Sequence, residues 1–525
     1  MVSISRQDAE VLLKNTFGFD GFRKGQWEIL DSCLRGKDAI AVLPTGGGKS
    51  ICYQMVAVLL QKPVLVISPL ISLMEDQVRS LRAHGVPTGC VHSMQTLDAT
   101  QQVFKNLRSY QNHAFVMYMS PEKLVSLHSM GEDPEDGPQM GTQGFALVAV
   151  DEAHCVSQWG HDFRPEYTQL KQLVEDRIVM ALTASATPRV LTDIIQQLGM
   201  KSPERWVFDV YRPNLYYQAV TCTTPEKMAW VRQAVSQHPT GRILVYAGTR
   251  KDCLTIATAL GGSDSSVGHY HAGMSTEERL EVQGKYDRGE LRILVATNAF
   301  GMGIDHPDVR LVVHYAIPSN IDALYQEMGR AGRDQQDSTC LLLYSAADRG
   351  LRSHFIHQAP DSQKQLHWYR LRSIVEYATS ESKNGVCRHG SILYYYRQGG
   401  GDDYRCTHCD HCNPTSPRRI QAPTVLTAPT RSRTRGPVMG KKKTDTSPAP
   451  VDPHLTAALK QWRKEQADRL HQPLYCILSN KTLEEITRVR PRSTQDLLAV
   501  HGIGKKKLDD FGPQILKLVV GVGDS

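Results

Sequence analysis

The residues PTGGGKS (44–50) have the composition of a phosphate cradle. Three glycines let successive backbone N–H groups turn toward an anion, and a helix starting beyond them adds the favourable end of its dipole. In such a loop Thr45, Gly46, Gly47 and Gly48 wrap the phosphates, Lys49 reaches the β/γ oxygens, and Ser50 holds Mg²⁺. The strict spacing G-x-x-x-x-G-K-S/T is broken, because Leu43 occupies its first glycine position. A glycine turn without a ligand is the plain alternative. A second group, DEAH (151–154), closes the apolar run ALVAV. Carboxylates at the end of a buried strand face the crevice where α/β folds bind ligands. Asp151 suits a metal's surroundings, and Glu152 suits orienting and deprotonating a water. A third group, GRAGRD (329–334), sets Arg330 and Arg333 three residues apart. Either the pair begins a surface helix, or it brings positive charge to a transferring phosphoryl group.

Two further clusters stand out. Cys387, Cys406, Cys409 and Cys412 gather within 26 residues, while the other eight cysteines are scattered singly. Four thiolates with two C-x-x-C steps match a tetrahedral zinc site. An iron–sulfur centre is the rival, but its closely following fourth cysteine and proline are missing. The segment SQWGHDF (157–163) places Trp159, His161 and Phe163 directly after the acidic pair, followed by Arg164. Aromatic faces stack on unpaired bases with little sequence preference. A buried core is the alternative, and the interleaved Gly160, His161 and Asp162 argue against a continuous apolar face.

These groups need a scaffold, and the chain offers one. Runs such as AIAVLP (39–44), PVLVISP (63–69), AFVMYMSP (114–121), ALVAVDE (146–152) and IVMALTASATP (178–188) look like buried parallel strands. A second set follows: RILVYAGT (242–249), RILVATNAFG (292–301), VRLVVHYAIP (309–318) and CLLLYS (340–345). Strands alternating with helical stretches predict two doubly wound α/β domains, divided near Val210–Pro225. Residues 130–144 read as an acidic surface insertion. The stretch 413–452 holds Pro, Thr and Ser with eight basic and two acidic residues, and too little apolar surface to offset its ordering entropy. It predicts a flexible basic linker, followed by a small helical domain.

The chain of 525 residues carries a net charge of +7, unevenly spread: residues 1–412 carry −3 and residues 413–525 carry +10. A basic end suggests a polyanionic partner or simply a solvated tail. A 41% hydrophobic share excludes a mainly disordered or fibrous chain. No apolar run approaches the roughly 20 residues that span a bilayer, and the N-terminus shows no secretion signal.

Taken in order, the motifs resemble the RecQ family of superfamily 2 helicases. The likeness runs through FGFDGFRKGQ (17–26), PTGGGKSICYQ (44–54), SPLISLMEDQV (68–78) and DEAHCVSQWGHDFRPEY (151–167). It continues through LTASATP (182–188), VYAGTRK (245–251), YHAGMS (270–275), ATNAFGMGIDHPDVR (296–310) and YQEMGRAGRD (325–334). The cysteine spacing resembles the RecQ zinc-binding subdomain. The segments 458–486 and 490–512 resemble an HRDC module, with HGIGKKK (501–507) as a glycine turn whose lysines could grip a phosphate.

The resemblance implies RecA-like motor domains at 1–209 and 210–346, a zinc subdomain at 347–412, the linker at 413–452 and an HRDC-like domain at 453–525. It implies that Gln26 reads adenine, that Lys49 and Ser50 serve phosphate and Mg²⁺, and that Asp151 and Glu152 hold the metal and activate water. Asp305 would contact nucleotide or the facing domain, and His154 and Ser185 would relay between ATP and DNA. Arg333 is the better candidate for an arginine finger and Arg330 for a γ-phosphate partner. The aromatic loop with Trp159, His161, Phe163 and Arg164 would couple single-stranded DNA to hydrolysis. Many RecQ proteins place a winged helix between the zinc module and HRDC, whereas here only the 413–452 stretch intervenes. The implied activity is ATP- and Mg²⁺-dependent 3′→5′ unwinding of duplex or branched DNA in recombination, repair and replication, with Zn²⁺ as a structural metal that braces the helices after the second motor domain. The implied partners are single-stranded and branched DNA with single-strand-binding and recombination proteins, and no membrane. The implied compartment is the cytoplasm and nucleoid for a bacterial source and the nucleus for a eukaryotic one. The rivals are an RNA helicase and a DNA-stimulated ATPase that binds or anneals strands without separating them.

Overall fold

The computed structural model describes residues 4–110, 113–130, 144–160, 163–261, 266–300, 306–379, 386–401, 403–424, 453–469, 477–478, 480–500 and 503–521. They fall into two compact units, Met1–Gly350 with Ser373–Thr424, and Leu351–Arg372 with Val425–Ser525.

The first unit contains two parallel sheets. One comprises β1 (Ala39–Val42), β2 (Pro63–Ile67), β3 (Thr88–Val91), β4 (Phe115–Met119), β5 (Leu147–Val150), β6 (Val179–Thr183) and β7 (Glu204–Val207). Their order is β3-β4-β2-β5-β6-β1-β7. Side chains alternate between two cores: Ile40, Val42, Val148 and Val150 enter one, while Ala39, Ala41, Leu147 and Ala149 enter the other. Burial on both faces is why these strands read as continuous apolar runs. The second sheet comprises β8 (Leu215–Thr221), β9 (Arg242–Tyr246), β10 (Val267–Tyr270), β11 (Ile293–Ala296), β12 (Val309–His314) and β13 (Ser338–Tyr344). Their order is β10-β11-β9-β12-β13-β8.

Nine strands match the apolar runs. The four that the sequence reading passes over, β3, β7, β8 and β10, are the outer strands of the two sheets. An edge strand has fewer neighbours and is free to carry polar or small residues, as in TGCV, ERWV and VGHY. The strand β8 lies inside the stretch Val210–Pro225 that the pattern treats as a boundary, so the second domain's sheet starts there.

The linker expectation needs correction at its start. Residues 413–424 are packed: Ile420 is buried in the second sheet's core. Its N–H donates to Gln218 Oε1 at 2.8 Å, and Gln218 Nε2 donates back to its carbonyl at 3.0 Å. Arg418 pairs with Asp337 at 2.8 Å. These long-range partners are invisible to composition. Residues 425–452, like the acidic insertion from 131 to 143, lie outside the described residues.

In the second unit the helices Pro453–Arg469, Asn480–Val489, Thr494–Ala499 and Lys505–Gly521 bury Leu455, Leu459, Trp462, Ile486, Leu497, Phe511 and Ile515 together. This is the small all-helical domain expected. Among the described residues no helix is long and apolar enough to cross a membrane.

Candidate functional site

In the first sheet β5, β6 and β1 are adjacent, so the loops leaving their C-terminal ends converge. Those loops carry DEAH, SATP and PTGGGKS. The phosphate loop leaves β1, turns through a Gly47 N–H bond to the Pro44 carbonyl at 2.8 Å, and enters the helix Lys49–Leu60. Gly46 and Gly48 have φ of +79° and +74°, a region that side chains rarely adopt. Gln26 lies against this loop, its Nε2 donating to the carbonyls of Gly47 at 3.3 Å and Gly48 at 3.0 Å. Arg23 Nη1 donates to the Gly46 carbonyl at 2.6 Å, a contact the sequence reading did not foresee.

Asp151 follows β5 and is buried. Burial and the neighbouring Glu152 raise its carboxyl to about 6, with Lys49 pulling the other way. A buried carboxylate beside a second, partly exposed one fits a cation, so Asp151 with Ser50 suits Mg²⁺. Glu152 sits at φ +48°, a strained conformation for a residue with a side chain, and such strain concentrates at functional sites. His154 joins the two neighbouring loops: its Nδ1 lies 3.3 Å from Glu152 Oε2 and 3.0 Å from Thr183 Oγ1. Thr183 Oγ1 in turn donates to the Ser185 carbonyl at 3.1 Å. His154 and Ser185 are therefore connected through Thr183, which the motif reading did not single out.

The turn GRAGRD (329–334) follows the helix Ile321–Met328 and approaches the phosphate loop closely. A Cβ added at Gly329 would meet Thr45 Cβ at 3.0 Å, so only glycine fits there without displacement. One added at Gly46 would rest on the Arg333 stem at 3.5 Å. Arg330 is buried beside this contact. The loops of the two sheets thus meet. Asp305 lies outside the described residues.

The sulfur atoms of Cys387, Cys406, Cys409 and Cys412 lie within 4.8 Å of one another, an arrangement suited to one tetrahedral ion. Backbone N–H groups support three of them: Gly390 to Cys387 at 3.3 Å, His408 to Cys406 at 3.3 Å and Cys412 to Cys409 at 3.4 Å. Such donors favour the thiolate. Two of the nearby histidines have other duties. His389 stacks on Tyr217 at 4.1 Å and contacts the Leu215 carbonyl, while His408 meets Arg418. The loop docks on β8 by a parallel bridge between Tyr217 and Cys409. Asp410 fastens it, accepting from the Ala219 N–H at 3.0 Å and from buried Arg388 at 2.9 and 3.0 Å.

Four family models match in order: DEAD/DEAH box helicase over 23–194, helicase conserved C-terminal domain over 226–335, RecQ zinc-binding over 346–413 and HRDC over 452–519. The ATP-dependent DNA helicase RecQ of Haemophilus influenzae is 31% identical, across 98% of this chain and 96% of its own. The chain belongs to the RecQ family. A relative from Acanthamoeba polyphaga mimivirus, named as an ATP-dependent RNA helicase, is 36% identical over 79% of this chain and 75% of its own. Among solved structures, Dbp5 of S. cerevisiae bound to RNA and ADP BeF3 aligns with a TM-score of 0.53 at 16% identity, over 69% of this chain and 97% of that one. That likeness is one of fold.

The RecQ aromatic loop is partly described. Trp159 is 39% exposed, so it is not core. Its ring carries the Arg189 guanidinium 3.2 Å from the centroid, and Arg189 is a residue the motif reading missed. The loop's base is fixed by Ser157 Oγ, which donates to Asp193 at 2.6 Å and accepts from the Trp159 N–H at 3.1 Å. Phe163 is half-buried. Arg164 donates to the Pro69 carbonyl at 2.9 Å and pairs with Glu122 at 3.5 Å, which joins the loop to the SPLISLMEDQV segment. His161 lies outside the described residues, as do His501 and Gly502 of the HRDC turn.

Proposed function

We propose that the chain is an ATP- and Mg²⁺-dependent helicase that separates DNA strands with 3′→5′ polarity, with motor domains at 1–209 and 210–346. The observation that carries this reading is the meeting of the phosphate loop with the arginine-bearing turn, in a chain aligned over almost its full length with RecQ. Lys49 would bind the β/γ-phosphates, and Ser50 with Asp151 would hold Mg²⁺, which neutralises charge on the phosphates. Glu152 would take the proton of the attacking water, and Arg333 with Arg330 would stabilise the charge that develops on the γ-phosphoryl group. Gln26 would read adenine once nucleotide displaces its contacts with the loop. Cys387, Cys406, Cys409 and Cys412 would hold zinc, bracing β8 rather than taking part in the reaction.

Trp159, Phe163 and Arg164 would sense single-stranded DNA beside the acidic loop, with His154 and Ser185 carrying that state between loops. DNA is favoured over RNA by the aromatic loop, the zinc module and the HRDC domain. Recombination, repair and replication follow from the same resemblance, with single-stranded and branched DNA as substrates.

Unwinding of a 3′-tailed DNA duplex beside a matched RNA duplex tests the reading. Wild type should separate the DNA and Lys49→Ala should separate neither. Equal activity on RNA would favour the mimivirus relative's printed activity. ATP hydrolysis stimulated by single strands without separation would favour an annealing or switch protein.

A further inference from the structure

Between the two sheets the chain passes through Tyr211-Arg212-Pro213-Asn214, a segment that neither the motifs nor the proposed mechanism uses. Arg212 is only 5% exposed. Its guanidinium meets no carboxylate at ion-pair distance among the described residues, and every partner is a neutral oxygen. Nη1 donates to the Thr45 carbonyl at 3.0 Å, Nη2 to the carbonyls of Ala331 at 3.2 Å and Gly332 at 2.7 Å, and Nε to Asn214 Oδ1 at 3.3 Å. A buried cation without a counter-charge is costly unless its donors are well satisfied, so its retention asks for a reason. The partners supply one. Thr45 opens the phosphate loop, and Ala331 and Gly332 lie between Arg330 and Arg333.

The neighbouring Asn214 completes the mould. Its Nδ2 donates to the carbonyls of Gly332 at 2.8 Å and Gln336 at 3.0 Å. Gly332 has φ +56°, and a Cβ there would strike Asn214 Nδ2 at 2.5 Å. This proximity is a product of topology: β8 and β13 run parallel with Leu215 opposite Ser338, so the segment entering β8 lies beside the turn entering β13. The turn's backbone is therefore shaped by the interdomain segment.

We propose that Arg212 is a positioning residue that ties the arginine-bearing turn to the phosphate loop and so aims Arg330 and Arg333 at the γ-phosphate. The planar fork of arginine spans both sides, while lysine offers one compact point charge and would hold only one of them. The proposal rests on reading Arg330 and Arg333 as the residues that meet the γ-phosphate.

The test is a mutant cycle on the full chain, reading ATP hydrolysis at saturating single-stranded DNA. Arg330→Ala and Arg333→Ala are measured first, and the one with the larger loss in kcat serves as the second background. Arg212→Met should lower kcat roughly ten- to hundred-fold, the loss expected from misplacing a catalytic group by about 1 Å. The ATP KM should stay within about three-fold, because Lys49 and the glycine N–H groups of the phosphate loop make no contact with Arg212 and remain in place. Arg212→Lys should fall between wild type and Arg212→Met, and it carries the same cycle if the methionine variant does not fold. In the arginine-less background the Arg212 substitution should cost less than about two-fold. An unchanged kcat, or the same fold-loss in both backgrounds, would overturn the proposal. If neither arginine variant lowers kcat, the reading of the turn fails on its own, before Arg212 is altered.

Discussion

The two sheets of the first unit solve the same problem in different ways. In the first, the candidate functional loops leave three adjacent strands, β1, β5 and β6, and are supported mainly by the same sheet's own neighbours, such as Gln26 and Arg23 on the phosphate loop and Thr183 on His154. In the second, the arginine-bearing turn is held by residues far away in sequence: Arg212 and Asn214 at the entrance to β8, and Val210, whose carbonyl accepts at 3.0 Å from the hydroxyl of Tyr325 on the helix leading into the turn. The outer strands differ as well. Glu204 on β7 is held by Ser32, Arg35 and Lys37, in ion pairs whose cations are about half exposed. The strand β8 is covered by the cysteine loop and residues 413–424. The first sheet carries its candidate loops side by side on neighbouring strands, and the second presents a turn whose placement depends on what is packed against it.

The largest effect should come from the first sheet's chemistry. Glu152→Gln should lower DNA-stimulated ATP hydrolysis by about 10²–10⁴-fold while leaving nucleotide binding and the melting temperature near wild type. A variant that hydrolyses ATP normally would remove Glu152 from the reaction.

Next comes the packing of the presenting sheet. Asp410→Ala breaks a fully buried pair with Arg388 and strands its charge, a loss of roughly 3–5 kcal/mol. Hydrogen exchange should show lost protection in β8 and β13 and retained protection in β5 and β6. Uniform loss across both sheets would erase the contrast drawn between them.

Trp159→Ala should weaken single-stranded DNA binding by about 1–3 kcal/mol without changing the ATP KM. Unchanged DNA affinity would leave the Trp159–Arg189 stack a surface ornament of the loop.

The smallest effect concerns the exposed edge. Hydrogen bonds from Lys37 and Ser32, with Arg35, hold the Glu204 carboxyl down at about 2 against some opposition from burial. A depressed carboxylate contributes stability that is full above its ordinary value near 4.5 and disappears as pH falls from there toward 2. Because the pairs are half solvated, Glu204→Gln should cost no more than about 1 kcal/mol at neutral pH. That difference from wild type should vanish in urea titrations near pH 2.

Legibility in the sequence follows the same division. The central strands, the phosphate loop, the acidic pair and the cysteine spacing could be read because each is a local pattern. A strand buried on both faces must be apolar throughout, and a phosphate cradle must concentrate glycine before a helix. The outer strands escaped because an edge imposes weaker demands on composition. The start of the linker departs from its composition because Ile420 packs into the second sheet's core and bonds to Gln218, about two hundred positions earlier in the chain.

The sequence by itself therefore determined the family, the two α/β domains and the candidate groups for ATP and zinc, since these rest on residue type and short-range spacing. Tertiary structure alone decided that Arg212 bridges Thr45 and Gly332, that Arg189 stacks on Trp159, and that the cysteine loop completes the edge at β8. Such contacts join segments whose separation along the chain carries no pattern. They arise from the order in which parallel strands pair, which places distant loops side by side.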